Sequence, residues 1–549
     1  MNFSFLPKFI LLFYCIFFLL FVAKHAVNLP YQDDVNLLQT TLIENDVKAL
    51  VLNLFSADSD HIQVFPKLAA VFQYKIFGKV DYQGLSIFMN FLVILALFFL
   101  VKIPQKIKSW YYYIPVFMML LHPQLFEISF WVLPGLQHSF AFLFVVLSML
   151  QFNINSKYNF ISIFWAACAT FCTGNGLLGF FGIIYILVLY KKPIWYALGG
   201  FLVSFSVYLL SYKPSPAVRH SIDFGYVLRF QGMFWASPFE VFNRLHLHQI
   251  IGLAILIVIF VTALFLSWKI FQTNQKNLLP IAKLISILIF CGGTALLISL
   301  SREYDVIFSR FQFYAFVGFI TIYLLVLELI NEKAQKYFGF ILGGFFCVIV
   351  GFSFFSNYIK IENMQTKYLT DTFNWKENKT MMLIDQPYLA LVNETYQKAE
   401  NSHLKIENKV IEKRELNQLI KNFGNHHLLK INLKLERDTY PRRYFANDHY
   451  ILSSDDFRLK TNIADVWSIL IANTNRNYLI APQFNANFKG AFLKTRAYYQ
   501  KGFYADIPAL NFEDGTYEIF LLKHNQSIGY ELFNTSVKLN IKDKTPSLF

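Results

Sequence analysis

The sequence predicts an α-helical polytopic membrane protein with about eleven transmembrane helices, followed by a C-terminal, extracytoplasmic, β-rich and sandwich-like domain. Three observations carry this reading. The 549 residues are 55% hydrophobic and only 15% charged, whereas a soluble globular chain is about 25% charged. Apolar runs near the roughly 20-residue length that crosses a bilayer recur as far as residue 356 and then stop. Beyond that point a period-two alternation takes over. Two domains follow: residues 1–356, with a long outer loop at 27–83, and residues 357–549.

Hydropathy places the spans near residues 8–26, 84–102, 110–122, 132–152, 158–172, 175–190, 194–211, 249–268, 280–300, 311–330 and 338–356. The third, fifth and sixth are short for a span. Lysines give an independent check, because cytoplasmic loops are enriched in them. Lys8, Lys102, Lys106, Lys108, Lys157, Lys191, Lys192, Lys269, Lys276, Lys333 and Lys336 all fall on one side of this scheme, which sets the N-terminus in the cytoplasm. An odd number of spans then puts residues 357–549 outside. A cleaved signal peptide ending near "AKHA" is the alternative for the first run, whose length is at the upper limit for such a segment.

The five cysteines, Cys15, Cys168, Cys172, Cys291 and Cys347, lie in or beside apolar spans and have neither zinc spacing nor a disulfide framework. The formal charge of +14 follows the positive-inside bias and asks for no nucleic acid.

Polar residues other than lysine gather in four loops on the outer side. The first carries "YQDDVNLLQTTLIEND" and "FSADSDHIQVFPKLAAVFQYKIFG". Asp33 or Asp34 suits the cap of the helix that follows, and Asp58 or Asp60 the cap of the next, since acids favour helix N-termini. The second of these helices, about 61–77, puts Phe65, Leu68, Ala69 and Phe72 on one face and reads as a helix lying in the membrane interface. His61 stands at its start and Lys67 follows. The second loop, "HPQLFEISFWVLPGLQH", holds Glu127, Trp131, Gln137 and His138 near a helix end. The third, residues 212–248, holds Arg219, His220, Asp223, Arg229 and Arg244. The fourth, "SREYDVIFSRFQFY", sets Arg302 and Arg310 at the outer ends of two spans. Arginines there run against the positive-inside bias and call for a local anion, either a lipid or a substrate phosphate. "CTGNG", residues 172–176, reads as a tight turn.

A first apolar helix followed at once by "YQDD" and membrane-lying helices, then "DHIQVFPKL", "FCTGNGLL" and the "SR" pair with "SRFQFY", resembles the GT-C superfamily of integral membrane glycosyltransferases. The likeness runs over residues 8–356 and leaves out the tail; it lies in order and topology, with no single specific motif. It implies transfer of a sugar from a polyprenyl-phosphate donor to an envelope glycan, lipid or protein acceptor at the outer face of a bacterial inner membrane. An acceptor hydroxyl must lose its proton as it attacks, so a carboxylate at the membrane surface, Asp33 or Asp34, suits a general base. The leaving lipid phosphate calls for cations at headgroup depth. Arg302, Arg310, His61 and Lys67 are the candidates, with Asp60, Arg219, His220, Arg229 and Arg244 in second place. Adjacent residues point to different sides, so one acid of the pair faces the site and the other is left to cap. Some members of the superfamily use a divalent metal at such acids, though no ligand set in this sequence demands one.

A non-catalytic lipid-linked-glycan flippase, or a membrane scaffold with an outer binding domain, is the competing class. A transport route needs ionisable groups at mid-depth in the spans, and these are few here. In the tail, "EKRELNQLIKNF" reads as helix, and "YEIFLLKH" and "SVKLNIK" as strands with "EDGTY" turning before the first. The segment from Gly502 to Lys542 reads as successive antiparallel strands. Trp467, Tyr498 and Tyr499 suit either a sandwich core or a sugar-stacking surface.

Overall fold

The computed structural model describes residues 5–58, 61–212, 223–242, 245–304, 306–384, 389–400, 402–407, 410–421, 428–438, 449–455, 458–487, 489–525 and 529–549. The chain forms two compact units. One comprises Met1–Lys24, Gln39–Ile76 and Gly84–Asn357, and the other His25–Leu38, Phe77–Gln83 and Tyr358–Phe549. The outer loop 27–83 is therefore divided between them.

The helical unit follows from apolar runs whose backbone groups are all satisfied within the helix. Its helices are α1 (Leu6–His25), α2 (Val35–Leu42), α3 (Val47–Phe55), α4 (Val64–Phe77), α5 (Tyr82–Leu100), α6 (Ile114–Met118), α7 (Phe126–Phe130), α8 (Val132–Gln151), α9 (Phe160–Thr170), α10 (Leu178–Leu189), α11 (Trp195–Ser211), α12 (Phe224–Ala236), α13 (Leu245–Thr273), α14 (Leu279–Ser301), α15 (Ser309–Leu329) and α16 (Glu332–Asn378). Parts of α1, α2, α4, α5 and α16 lie in the second unit. Among the described residues, seven helices are long and apolar enough to cross a membrane, namely α1, α5, α8, α13, α14, α15 and α16. Helices α9, α10 and α11 are apolar but shorter. Residues 110–122, expected as a span, make no continuous helix. A 3-10 turn at Trp110–Tyr113 leads into the five-residue α6. His122 is then fully extended ahead of Pro123, because a proline disfavours the helical conformation of the residue before it.

Several lysine-bearing turns contact other turns or helices of this unit. Lys276 Nζ donates to Asn155 Oδ1 at 2.8 Å, Lys191 lies over Phe271, and Lys8 lies over Trp110. The backbone N–H groups of Gln105 and Lys106 donate to the buried Glu328 carboxylate. Helix α4 turns Phe72, Ile76 and Phe77 outward and buries Pro66, Lys67, Ala70 and Val71. Of the face read from its pattern, Leu68 and Phe72 are exposed, whereas Phe65 packs against Phe140 and Phe144.

The "CTGNG" turn is a packing point as well as a bend. A Cβ on Gly176 would lie 2.0 Å from the Ala169 carbonyl oxygen and 2.6 Å from the Thr170 nitrogen, both backbone atoms that cannot swing away. Gly176→Ala is expected to force α9 and α10 apart and destabilise the protein by about 3 kcal/mol. Thermal unfolding of the full chain in detergent reads this, and an unchanged midpoint would show that the turn is not tight.

In the second unit α17 (Leu389–Ala399), α18 (Lys413–Lys421) and α19 (Lys489–Thr495) accompany two antiparallel sheets. Strands β1 (Ala57–Asp58) and β2 (His61–Ile62) form a separate small hairpin in the helical unit. The larger sheet has the order β10-β9-β8-β5-β6, built from β5 (Val466–Ala472), β6 (Asn477–Ile480), β8 (Gly515–Asn525), β9 (Gly529–Lys542) and β10 (Thr545–Leu548). The smaller has the order β3-β4-β7, built from β3 (Lys434–Arg437), β4 (His449–Ser454) and β7 (Phe503–Pro508). Ile469, Ile471, Ile519 and Leu521 from one sheet share a core with Leu452, Ala505 and Ile507 from the other. The opposite face of the larger sheet, through Leu470, Phe520 and Leu522, packs on Phe373 of α16 and Leu416 of α18. The hairpin expected over 515–542 is present as β8 and β9, but β7 pairs with β4 in the other sheet. Trp467 and Tyr499 belong to this core and Tyr498 packs against it, so these three aromatics serve packing.

One polar cluster is sealed into that unit. Glu362 of α16 pairs with Lys460 at 3.3 Å and accepts from Tyr499 Oη at 2.8 Å. The Lys460 ammonium also faces the Tyr499 and Phe484 rings. Burial pulls the Lys460 pKa down, and the Glu362 charge opposes that pull. Removing one partner of a buried pair leaves an uncompensated charge. Glu362→Ala is expected to cost about 3–5 kcal/mol, seen as a lower unfolding midpoint of the full chain. A loss below about 1 kcal/mol would mark the pair as solvent-screened.

Candidate functional site

Two of the outer-loop arginines are held at the N-terminal end of α15 and the C-terminal end of α14. Arg310, in the first turn of α15, gives its backbone N–H to Glu127 Oε2 at 3.0 Å and its Nη1 to Glu127 Oε1 at 3.1 Å. Glu127 of α7 in turn gives its backbone N–H to Ser309 Oγ at 3.0 Å. An acid from another helix therefore caps α15, where the helix dipole favours a negative charge. The guanidinium is packed against the rings of Trp131, Phe308 and Phe311, at 5.1, 4.6 and 4.9 Å. Such stacking fixes a planar fork.

One turn further along the same face stands Tyr314, whose hydroxyl meets His138 Nδ1 at 2.6 Å. Arg310 and His61 both lie close enough to His138 to act on its charge. His61 itself meets the Tyr208 hydroxyl of α11 at 3.4 Å, and Tyr208 packs so closely on the "CTGNG" turn that a Cβ on Gly174 would sit 2.6 Å from its oxygen. Beside these histidines in sequence, Gln63 Oε1 and Gln137 Nε2 are buried with no hydrogen-bond partner. Each such orphan costs about 1–3 kcal/mol, a cost that a bound polar ligand or water removes. Cation, aromatic rings and imidazoles from three loops thus lie near one another.

Arg302 stands nearby in sequence with a different setting. Its Nη1 donates to the Tyr304 hydroxyl at 3.2 Å, while the Tyr304 backbone N–H donates to Tyr226 Oη at 2.6 Å. The exposed Arg229 of α12 lies over the Tyr226 ring at 5.5 Å. Two arginines therefore flank one tyrosine pair, an arrangement suited to an anion beside a flat apolar face.

The acid pair is separated by its backbone. Gln32 takes a left-handed φ of 43°, costly for a residue with a Cβ, and residues Gln32–Asp34 then form a 3-10 turn. Asp34 is 1% exposed, and its Oδ2 accepts the Tyr31 N–H at 3.0 Å. Asp33 is exposed. The segment is clamped by tyrosines: Tyr82 Oη donates to the Asp34 carbonyl at 3.1 Å and Tyr396 Oη to the Pro30 carbonyl at 2.9 Å. Asp34 is the capping acid, and Asp33 is the one turned outward.

Two sequence expectations change. His61 does not start a helix; it pairs with Asp58 in the β1–β2 hairpin, and α4 begins only at Val64. Lys67 is 0% exposed, and its ammonium holds the carbonyls of Asn53 and Ser56 at 2.8 and 3.3 Å. A cation on the last carbonyls of a helix completes that helix, so Lys67 secures the end of α3. Asp60, Arg219, His220 and Arg244 lie outside the described residues. Among the described residues no three His, Cys, Asp or Glu side chains gather to hold a metal ion. Comparison with protein-family models, with curated proteins and with solved structures finds no match.

Proposed function

We propose that this protein is an inverting membrane glycosyltransferase of the GT-C kind, moving a sugar from a polyprenyl-phosphate donor to an envelope glycan, lipid or protein acceptor. The observation that carries this reading is Arg310, stacked on three rings and braced by Glu127. Arginine has five side-chain N–H donors, and among the described residues Glu127 takes only Nη1. The fork is thus oriented in advance toward a second oxyanion, as a lipid phosphate leaving group requires. His61 and Arg302 supply further N–H donors, and the orphaned Gln63 and Gln137 suit sugar hydroxyls.

In a single displacement the acceptor oxygen attacks the anomeric carbon and the bond from that carbon to the phosphate oxygen breaks. The electron pair leaves with the lipid phosphate as the acceptor oxygen bonds on the opposite face, which inverts the anomeric centre, and the acceptor's proton passes to a general base, for which Asp33 is the sequence candidate. In this reading the lysine-rich turns are cytoplasmic and the second unit lies outside the bacterial inner membrane. Mass spectrometry of envelope glycans from a strain lacking the chain tests the proposal. A missing hexose, pentose or aminosugar, restored by the parent chain, is expected; an unchanged glycan profile overturns it.

A further inference from the structure

Within the second unit, the residues just after α1 and just before α5 meet a distant part of the chain. Val80 bridges in parallel to Leu404, the Tyr82 N–H donates to Asn28 Oδ1 at 2.8 Å, and Asn28 Nδ2 donates to the Lys405 carbonyl at 3.3 Å. The result is a cavity of about 120 Å³, lined chiefly by Asn28, Lys79, Asp81, Gln83, Lys405 and Glu407. Space of that size takes several water-sized groups, and its lining is two cations, two anions and two amides, with no net charge. Asn28 follows the apolar α1 by three residues, and Lys79–Asp81 run directly into the apolar α5. With an extended residue spanning about 3.3 Å, the lining is tied within roughly 10 Å of two membrane-spanning ends, which is headgroup depth.

We propose that this cavity binds a zwitterionic phospholipid headgroup carrying a primary ammonium, of the phosphatidylethanolamine type. Lys79 and Lys405 take the phosphate, and Asp81 and Glu407 take the ammonium. The zero net charge decides against an anionic headgroup and against a polyanionic donor. A trimethylated ammonium has no N–H to give the carboxylates, which decides against a choline headgroup. The Lys405–Glu407 pair, 3.2 Å apart with side chains 69% and 57% exposed, is weak enough at a surface for a zwitterion to replace it in kind.

Native mass spectrometry of the full chain in detergent, titrated with ethanolamine, choline and glycerol phospholipids of identical acyl chains, is the test. The ethanolamine lipid should be retained at least tenfold better than either of the others. Lys79→Gln with Lys405→Gln, and separately Asp81→Asn with Glu407→Gln, should each remove that preference while the unfolding midpoint stays put. Equal retention of the glycerol lipid by the unmodified chain overturns the proposal without reference to any variant, as does an undiminished preference in both double variants. Soluble glycerophosphoethanolamine competing as well as the lipid would assign the cavity to a free phosphodiester and overturn the lipid assignment.

Discussion

Asp33→Asn is expected to stop glycan transfer without disturbing the fold, and Asp34→Ala to disturb the fold first. The two acids are neighbours in sequence and unlike in setting. Asp34 is buried with its carboxylate on the Tyr31 N–H, so its loss removes a charge-assisted capping bond and costs about 1–2 kcal/mol. Asp33 is exposed, and an amide keeps the size and shape of its carboxylate. General-base catalysis is worth about 10²- to 10⁴-fold in rate, and Asn cannot take a proton. The readouts are recovery of the modified envelope glycan in a complemented strain and the unfolding midpoint of the purified chain. Parent-level glycan with Asp33→Asn would falsify the assignment of Asp33 as base, whatever Asp34 does.

The fold was legible where a pattern repeats and obscure where one residue decides. Apolar runs marked the long apolar helices because such a run acts over many residues at once. At 110–122 the run was apolar, yet Pro115 and Pro123 break it into short pieces, a local veto that window averaging dilutes. Period-two alternation marked β8 and β9, but nothing local to β7 tells that its partner is β4 rather than β8, since pairing is set by the shared core. For the candidate site, charge type pointed to Arg310 and His61. The roles of Glu127 and His138 depend on partners 183 and 176 residues away. The four-residue spacing of Arg310 and Tyr314 was a usable signal, since helical residues so spaced share a face. Lys67 was a phosphate candidate by its charge, yet its ammonium is buried on the carbonyls at the end of α3, a partner no local pattern reveals.

Arg310→Gln is expected to lower the rate of transfer roughly 10- to 100-fold, the equivalent of the about 1.5–3 kcal/mol that a charge-assisted hydrogen bond contributes. Lysine should rescue only part of this. It restores the charge but neither the planar fork nor the stacking on Trp131, Phe308 and Phe311, which orient the donors before substrate arrives. The simple rival account is that Arg310 merely neutralises Glu127, both side chains being largely buried. Under that account the harm in Arg310→Gln comes from a stranded carboxylate. The double variant Arg310→Gln with Glu127→Gln separates the two, because it removes both charges and leaves the amide of residue 127 able to accept the backbone N–H of residue 310. If Arg310 binds the leaving phosphate, the double variant regains the parent's unfolding midpoint and stays as slow as the single one. Recovery of both stability and transfer would reduce Arg310 to the counter-ion of Glu127 and remove the main support for phosphate binding at this end of the helices.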